Sequence, residues 1–314
     1  MDIVVTGAGG YLGGLLADAL LQPGCPVPVR RLLLLDVAPP PPRADPRVTC
    51  RAADLAAPGA PAALLPPGTQ LVFHLAAVVS GHAEQDFELG LRVNLDVTRA
   101  LLDAVRALGG ARLVFASTVG VFGGALPAVV HEGVAPTPQS SYGCAKAMSE
   151  LLVAEYARRG WLQARTLRLP TITVRAGAAN RAVTSFASGM VREPLVGRDY
   201  TVPVPPETEL WVASPRAAVR NLLHAAAAGG DAAPLCLPGL TVSAGAAAAA
   251  LAAARPAAAA RLRWAPDPLI TAMVQSFPAR FDCSRALRLG YVADESFDSI
   301  VRDYIQHDLK ETSA

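Results

Sequence analysis

The sequence predicts an α/β protein: a doubly wound, mainly parallel sheet followed by a smaller C-terminal lobe. Three features of the 314 residues carry that expectation: short, nearly all-apolar runs through the first half, helical patterns between them, and a glycine-rich turn after the first run. A strand covered on both faces reads as a continuous apolar run, where a half-exposed one would alternate. Strand–helix alternation at this spacing supplies the crossovers that parallel pairing requires.

In chain order, Ile3–Thr6 reads as a strand and Tyr11–Leu21 as a helix. Arg31–Asp36, Leu71–Ala76 and Arg112–Ser117 read as further strands, with helical patterns at Phe87–Leu108 and Tyr142–Arg159. Pro39–Pro42 and Pro58–Gly68 are rich in proline, or in proline and alanine, and read as surface excursions. Pro170–Pro206 carries many turn residues and few clear helices. Ser214–Ala228 looks helical, Thr241–Ala254 reads as a soluble helix, Ala244–Ala260 is alanine-rich and low in complexity, and Ser296–Leu309 is amphipathic. The expected division is 1–169 for the sheet domain and 170–314 for the lobe, with some later segments returning to the core.

The first turn contains Gly7, Gly10 and Gly13 in a Gly-x-x-Gly-x-x-Gly pattern. In this pattern the first glycine permits a sharp exit from the strand, the second lets backbone approach a pyrophosphate, and the third lets helix pack close to sheet. The helix that follows points its first amides, from Tyr11, Leu12 and Gly13, at the anion. Asp36 ends the next strand, 23 residues after Gly13. A carboxylate there accepts both ribose hydroxyls and repels a 2′-phosphate, so the sequence predicts a Rossmann-type site that takes NAD rather than NADP. The competing reading of Asp36 is a solvated strand-end charge. Asp54 and Leu55 follow the third strand region and are candidates to border the adenine, with an ordinary surface loop as the alternative.

Tyr142 and Lys146 form a Tyr-x-x-x-Lys on one helical face. An ammonium about 4 Å from a phenol, at an effective dielectric near 20, stabilises the phenolate by roughly 4 kcal/mol. That equals about three pKa units, enough to bring a group of pKa near 10 towards neutral pH. Ser117 and Thr118, at the end of the preceding strand, place hydroxyls where one can hold a reacting oxygen. The alternative reading of the pair is an amphipathic surface contact.

Taken together, these motifs resemble the extended branch of the short-chain dehydrogenases/reductases. The Val121-Phe122-Gly123 segment assigns the family's hydroxyl position to Thr118, where threonine stands for the usual serine. Leu75-Ala76-Ala77 and Asn94 match as well. The resemblance implies NAD as cofactor, with Leu75, Ala76, Ala77, Asn94 and Pro170 beside it, and Thr118, Tyr142 and Lys146 as catalytic residues. A closer similarity to D-erythronate dehydrogenases runs through His74–Gly81, Pro170–Arg175, Ser185–Leu195, Trp211–Arg216 and Pro278–Asp282. It implies oxidation of the C2 hydroxyl of a small sugar acid. Ala176 stands where the family commonly has proline. A sugar-nucleotide epimerase or dehydratase that recycles its NAD is the alternative, and a non-catalytic NAD-sensing protein is a third.

A sugar acid needs a cationic grip and hydroxyl partners, and arginine suits a bidentate hold on carboxylate. Arg175, Asn180, Ser185 and Arg192 are the candidates in the second half, with Ser80 after the fourth apolar strand. Each has a structural alternative; Arg192, for one, can pair with Glu193. His74 reads as a core or supporting histidine, His82 as a loop residue, Cys144 as a small packing residue, and Trp211 and Trp264 as packing.

The net charge of +2 and the dispersed arginines give no electrostatic footprint for nucleic acid or a membrane surface. No run of about 18 strongly apolar residues suits a membrane. Five cysteines without a Cys-x-x-Cys read as free thiols in a reducing compartment, and no metal-ligand spacing appears. The chain opens directly on a strand with no leader pattern, so a cytoplasmic enzyme is expected. The resemblance implies a homodimer through the helices at 87–108 and 142–159.

Overall fold

The computed structural model describes residues 1–179, 182–228 and 232–309. It resolves two compact units. The first comprises Met1–Val121, Ser140–Leu169 and Val219–Leu235; the second comprises Phe122–Gln139, Pro170–Ala218 and Cys236–Ala314.

The first unit is built on strands β1 (Asp2–Thr6), β2 (Arg31–Asp36), β3 (Val48–Ala52), β4 (Leu71–His74), β5 (Arg112–Thr118) and β6 (Gln163–Leu169). They pair in the order β6-β5-β4-β1-β2-β3, all parallel, and a short β10 (Leu235–Cys236) lies beyond β6 as a seventh strand. The order reverses direction at β1: β2 and β3 lie on one side of it, β4 to β6 on the other. Such a switch point opens a crevice at the carboxyl ends of the strands. Crossover helices α1 (Tyr11–Leu20), α2 (Ala60–Leu64), α3 (Ser80–Gln85), α4 (Phe87–Leu91), α5 (Val97–Ala107) and α6 (Ser141–Arg158) complete the unit. β1 and β4 are buried along their whole length, so their unbroken apolar runs do mark strands covered on both faces. Val4, Leu35, Val72, Leu101, Leu113 and Phe115 belong to one buried cluster.

Two elements depart from the pattern read in sequence. Strand β4 ends at His74, because Leu75 to Val79 leave the ladder towards α3. The pattern at 87–108 is one helical path, α4 and α5, joined by a wide π turn at Arg92–Asp96. Such a turn leaves carbonyls without their usual helical partner; the Asn94 carbonyl accepts from the hydroxyls of Thr98 and Ser149 instead, at 2.9 and 3.0 Å.

The second unit holds β7 (Thr171–Ile172), β8 (Tyr200–Val202), β9 (Glu209–Ala213), β11 (Leu240–Ser243) and β12 (Leu262–Trp264), arranged as β11-β9-β7 and β12-β8. Its core gathers Val174, Phe186, Met190, Leu210, Leu251 and Tyr304. The segment expected to be irregular contains a full helix, α7 (Phe186–Leu195). Gly189 and Pro194 disguise it. Gly189 is required because the Tyr200 ring lies 2.5 Å from where a Cβ would stand, and Pro194 falls in the last turn. The alanine-rich stretch divides at Arg255 into α9 (Ala244–Ala254) and α10 (Pro256–Ala259), since Pro256 cannot continue the first helix. Trp211 is buried against Phe281, whereas Trp264 is partly exposed. No described helix is long and apolar enough to cross a membrane.

Candidate active site

The site grows from the end of β1. Gly7 adopts φ +74°, in the left-handed region that glycine tolerates. A Cβ on Gly7 would stand 2.6 Å from the Ala76 nitrogen, and one on Gly13 would run into the Gly7 carbonyl. Both glycines therefore serve close packing within the turn. Gly10 caps α1 and is exposed, and the Gly14 amide already closes the first helical bond onto the Gly10 carbonyl. The first-turn amides of Tyr11, Leu12 and Gly13 have no acceptor within the helix, as at any helix start.

Asp36 reaches over this turn from the end of β2. Its carboxylate accepts the Gly9 amide at 2.9 Å and the Val37 amide at 2.7 Å. Arg43, the nearest cation beyond the prolines, turns back onto α1. It donates to Asp18 at 2.7 Å and to the Gly14 carbonyl at 3.1 Å. A glycine cradle, a helix start and a strand-end carboxylate thus converge, which fits the pyrophosphate and diol of a dinucleotide. Leu75 and Ala76 border the same turn: the Leu75 amide donates to the Thr6 carbonyl, and the Ala76 amide to the Thr6 hydroxyl at 3.4 Å. Asp54 lies exposed in a turn, accepting the Ala56 amide, while Leu55 is buried in the core cluster.

The proton-transfer residues sit on β5 and α6. α6 begins at Ser140, whose hydroxyl accepts the Gly143 amide at 3.1 Å as an N-cap. That cap places Tyr142 in the first turn and Lys146 one turn further on. Lys146 is 2% exposed. Its ammonium donates to the Ala116 carbonyl at 2.8 Å and lies 4.7 Å from the centre of the Phe115 ring. It stands 5.9 Å from the centre of the Tyr142 ring. The expectation of an ammonium that by itself pulls the phenol towards neutral pH is therefore corrected. Burial pushes Tyr142 up to about 12. Burial also pushes Lys146 down to about 8, opposed by the negative charge of Glu150.

Strand alternation separates the two hydroxyls of β5. Ser117 turns inward and donates to Glu150 at 2.5 Å. Thr118 is half-buried at the strand end, its hydroxyl accepting the Gly120 amide at 3.0 Å. Of the two, Thr118 is the one disposed to face a substrate.

Behind these residues lies a polar support that the motifs did not reveal. Glu150 forms a buried ion pair with Arg168 of β6, the closest approach being 2.6 Å. His74 bridges the hydroxyls of Thr6 at 2.7 Å and Thr98 at 3.1 Å and stacks on Phe115. Burial, reinforced by the Lys146 charge, pushes its imidazole down to about 3, so it is neutral at ordinary pH. Asn94 is 1% exposed and clamps Val78 twice, accepting its amide at 2.8 Å and donating to its carbonyl at 3.0 Å. Both polar ends of Asn94 thereby fix the segment after β4, where Ala77 and Ser80 lie half-buried. In sequence the pair shows only as a glutamate four residues after Lys146 and one of two arginines in a strand of mixed composition, Gln163–Leu169.

In the second unit, Pro170 directly follows β6 and is buried. Arg192 is buried too, paired with Glu193 at 2.8 Å and donating to the Arg175 carbonyl at 3.0 Å. Its geometry is that of a brace. The Arg175 amide is held in addition by Ser188 at 3.1 Å. Ser185 is half-buried in the short turn before α7. Asn180 lies outside the described residues.

Residues 3–228 match the model of the NAD dependent epimerase/dehydratase family. The chain is 46% identical to a D-erythronate dehydrogenase of Cupriavidus necator, with 98% of each chain covered. It is 38% identical to a D-erythronate dehydrogenase of Haemophilus influenzae, covering 98% of this chain and all of that one. Among solved structures, a nucleoside-diphosphate-sugar epimerase from Agrobacterium tumefaciens superposes with a TM-score of 0.93 at 39% identity, over 98% of this chain and 94% of that one. An L-threonine 3-dehydrogenase from Trypanosoma brucei, at 22% identity and TM-score 0.86 over 99% of both chains, shares the fold.

Proposed function

Because the chain belongs to the NAD dependent epimerase/dehydratase family, we propose that it is an NAD-dependent dehydrogenase oxidising the C2 hydroxyl of a D-erythronate-like sugar acid. Near-full-length identity to two D-erythronate dehydrogenases is the single observation that carries the substrate class. The glycine turn, the amides of Tyr11 to Gly13, and Asp36 would hold the dinucleotide, which when bound is the two-electron oxidant for C2. Thr118 holds the C2 oxygen by a hydrogen bond. Tyr142, as its phenolate, would take the hydroxyl proton, and with the C2 hydrogen and its electron pair passing to that oxidant the product is a 2-oxo acid. Lys146, whose ammonium stands 5.9 Å from the centre of the Tyr142 ring, opposes the effect of burial when Tyr142 gives up its own proton. Asn94 and His74 act from behind, Asn94 by fixing the Val78 backbone and His74 by holding the Thr6 hydroxyl that accepts the Ala76 amide.

For the acid's carboxylate we assign Arg175 by residue type, with Ser80 and Ser185 as hydroxyl partners. Arg192 serves Arg175 through its backbone. We further assign the protein to the cytoplasm and to a homodimer formed through the helices at 87–108 and 142–159, supported by the exposed Phe87 and Leu151 on those helices. Light scattering that gives only a monomer at micromolar concentration rejects the dimer.

The similarity to a nucleoside-diphosphate-sugar epimerase supports a second reading, in which NAD is retained and recycled. A panel of C4 to C6 aldonates, uronates and nucleotide sugars, followed by NADH absorbance and product analysis, separates the two. Stoichiometric NADH from a free aldonate is the expected result. Isomerised nucleotide sugar without NADH overturns it.

A further inference from the structure

Of the 28 basic residues in the chain, 26 are arginine, and Lys146 is one of only two lysines. The choice has chemical content. Arginine holds its charge at any working pH, whereas a buried lysine is readily neutralised. Lys146 is buried, and burial pulls its ammonium towards the neutral amine. Something must hold the proton on if that ammonium is to act on Tyr142.

The groups around Lys146 can be taken element by element. β5 gives it the Ala116 carbonyl and the Phe115 ring, which accept or face a cation without carrying charge. β4 gives His74, neutral at ordinary pH. From α6 come Tyr142 on one side and Glu150 one turn beyond on the other. β6 gives Arg168, which is committed to Glu150; Arg165 lies on the opposite face of the strand by alternation. The helices packed on α6 bring Glu84, Glu88, Arg92, Asp96 and Asp103, all solvent-exposed and screened. Among the described residues of this unit, Glu150 is thus the one buried carboxylate a single helical turn from Lys146, and its negative charge opposes loss of the Lys146 proton.

Glu150 is also held with unusual completeness. Arg168 grips it through two nitrogens, at 3.0 Å and 2.6 Å, and Ser117 donates to it at 2.5 Å. Ser117 lies between Ala116, which accepts from Lys146, and Thr118, the hydroxyl at the strand end. One carboxylate therefore ties together the strand end and the helix that carry the whole proton-transfer set.

We propose that Glu150, clamped by Arg168 and Ser117, is a positioning residue that keeps Lys146 protonated beside Tyr142. This rests on the dehydrogenase reading for its catalytic consequence, but not for its physical test. With only two lysines, the protein labelled with lysine carrying ¹³C at Cε and ¹⁵N at Nζ gives two side-chain signals. Lys146→Arg assigns them by removing one. The Lys146 titration is then followed in the protein without substrate. Glu150→Gln keeps a partner for Ser117 and removes the charge; its Lys146 midpoint is expected to fall by at least one pH unit. Ser117→Ala leaves the ion pair and is expected to leave the midpoint in place.

Should Glu150→Gln fail to fold because Arg168 is left unpaired, Glu150→Gln combined with Arg168→Met is compared with Arg168→Met alone, so that the two proteins differ only in the Glu150 charge, and the shift is read the same way. An unchanged Lys146 midpoint in the folded variant overturns the proposal, as does an equal fall in Ser117→Ala. In turnover, loss of the Lys146 proton disables the enzyme as pH rises. The alkaline limb of kcat/KM should accordingly move down with the midpoint in Glu150→Gln. If the wild type produces no NADH from any aldonate while the titration shifts as stated, the substrate reading fails and the role of Glu150 stands.

Discussion

The two compact units spend their charged residues differently. In the first, the cation and anion nearest the proposed chemistry are buried: Lys146 on the Ala116 carbonyl, Glu150 against Arg168. In the second, the arginines are mostly tied to carboxylates close by. Arg198 pairs with Glu193, Arg261 and Arg263 with Asp199, and Arg280 with Glu209, at or near the surface. Pairs of that exposed kind contribute little to stability. Buried charge is costly to remove singly and is retained where it serves orientation or proton affinity. The contrast teaches that the proposed catalytic residues are held by the first unit's interior.

The largest expected effect tests the first half of that contrast. Tyr142→Phe removes the proton acceptor and leaves the ring that packs beside Lys146. Turnover measured by NADH absorbance should fall by about 10²–10⁴-fold, the usual range for a general acid–base residue, while NAD binding by calorimetry is kept. Activity within tenfold of wild type would remove Tyr142 from the mechanism.

Next in size is Gly13→Ala. The new methyl group has no space beside the Gly7 carbonyl. Overpacking of this kind costs roughly 1–3 kcal/mol, and here the strain falls on the turn that would carry the pyrophosphate. Thermal stability and NAD affinity should drop together, with KM for the acid changing much less. A variant that binds NAD as tightly as wild type would show that the turn is not the phosphate cradle.

Arg192→Ala sharpens the second half of the contrast. As a brace, Arg192 supports the Arg175 carbonyl, and an unsatisfied buried acceptor costs about 1–3 kcal/mol. The melting temperature should fall, and Arg192→Lys should recover only part of it, lacking the planar fork. Arg175→Ala should do the reverse, raising KM for the sugar acid with little change in melting temperature. If Arg192→Ala raises KM at unchanged stability, Arg192 contacts the acid directly.

The sequence made four of the first unit's strands (β1, β2, β4 and β5) and its site motifs legible for a physical reason, whereas β3 and β6 carry too many polar residues to stand out as apolar runs. Gly7, Gly13 and Asp36 are required by backbone geometry within 30 residues of each other, so spacing alone reveals them. Tyr142 and Lys146 share a helical turn and are legible in the same way. Glu150 with Arg168 escaped because the partners lie 18 residues apart on different elements, and nothing local marks an ion pair. Helical spacing predicts a lowered Tyr142 whereas burial raises it, because a spacing of four residues fixes the shared face but not how dry that face is. α7 was hidden by Gly189, whose reason is the distant Tyr200 ring. The second unit in general is specified by such long-range contacts.

His74 gives the effect best isolated from turnover. The unfolded histidine takes up its proton near pH 6.5, whereas the buried one does so only near 3. Between those values the unfolded chain holds one more proton, so acid favours unfolding. The stability contributed by a neutral His74 is whole above about pH 6.5 and is lost as pH falls towards 3. The slope is at most about 1.4 kcal/mol per pH unit. His74→Gln retains hydrogen-bonding capacity towards Thr6 and Thr98 and has no proton to gain. Urea unfolding of both proteins between pH 7.5 and 4.5 should therefore give curves that converge as the pH is lowered, the wild type losing its lead. Parallel curves would mean that the folded imidazole is protonated as readily as the unfolded one, and the first unit's interior would then not be the dry, low-dielectric support on which the contrast with the second unit depends.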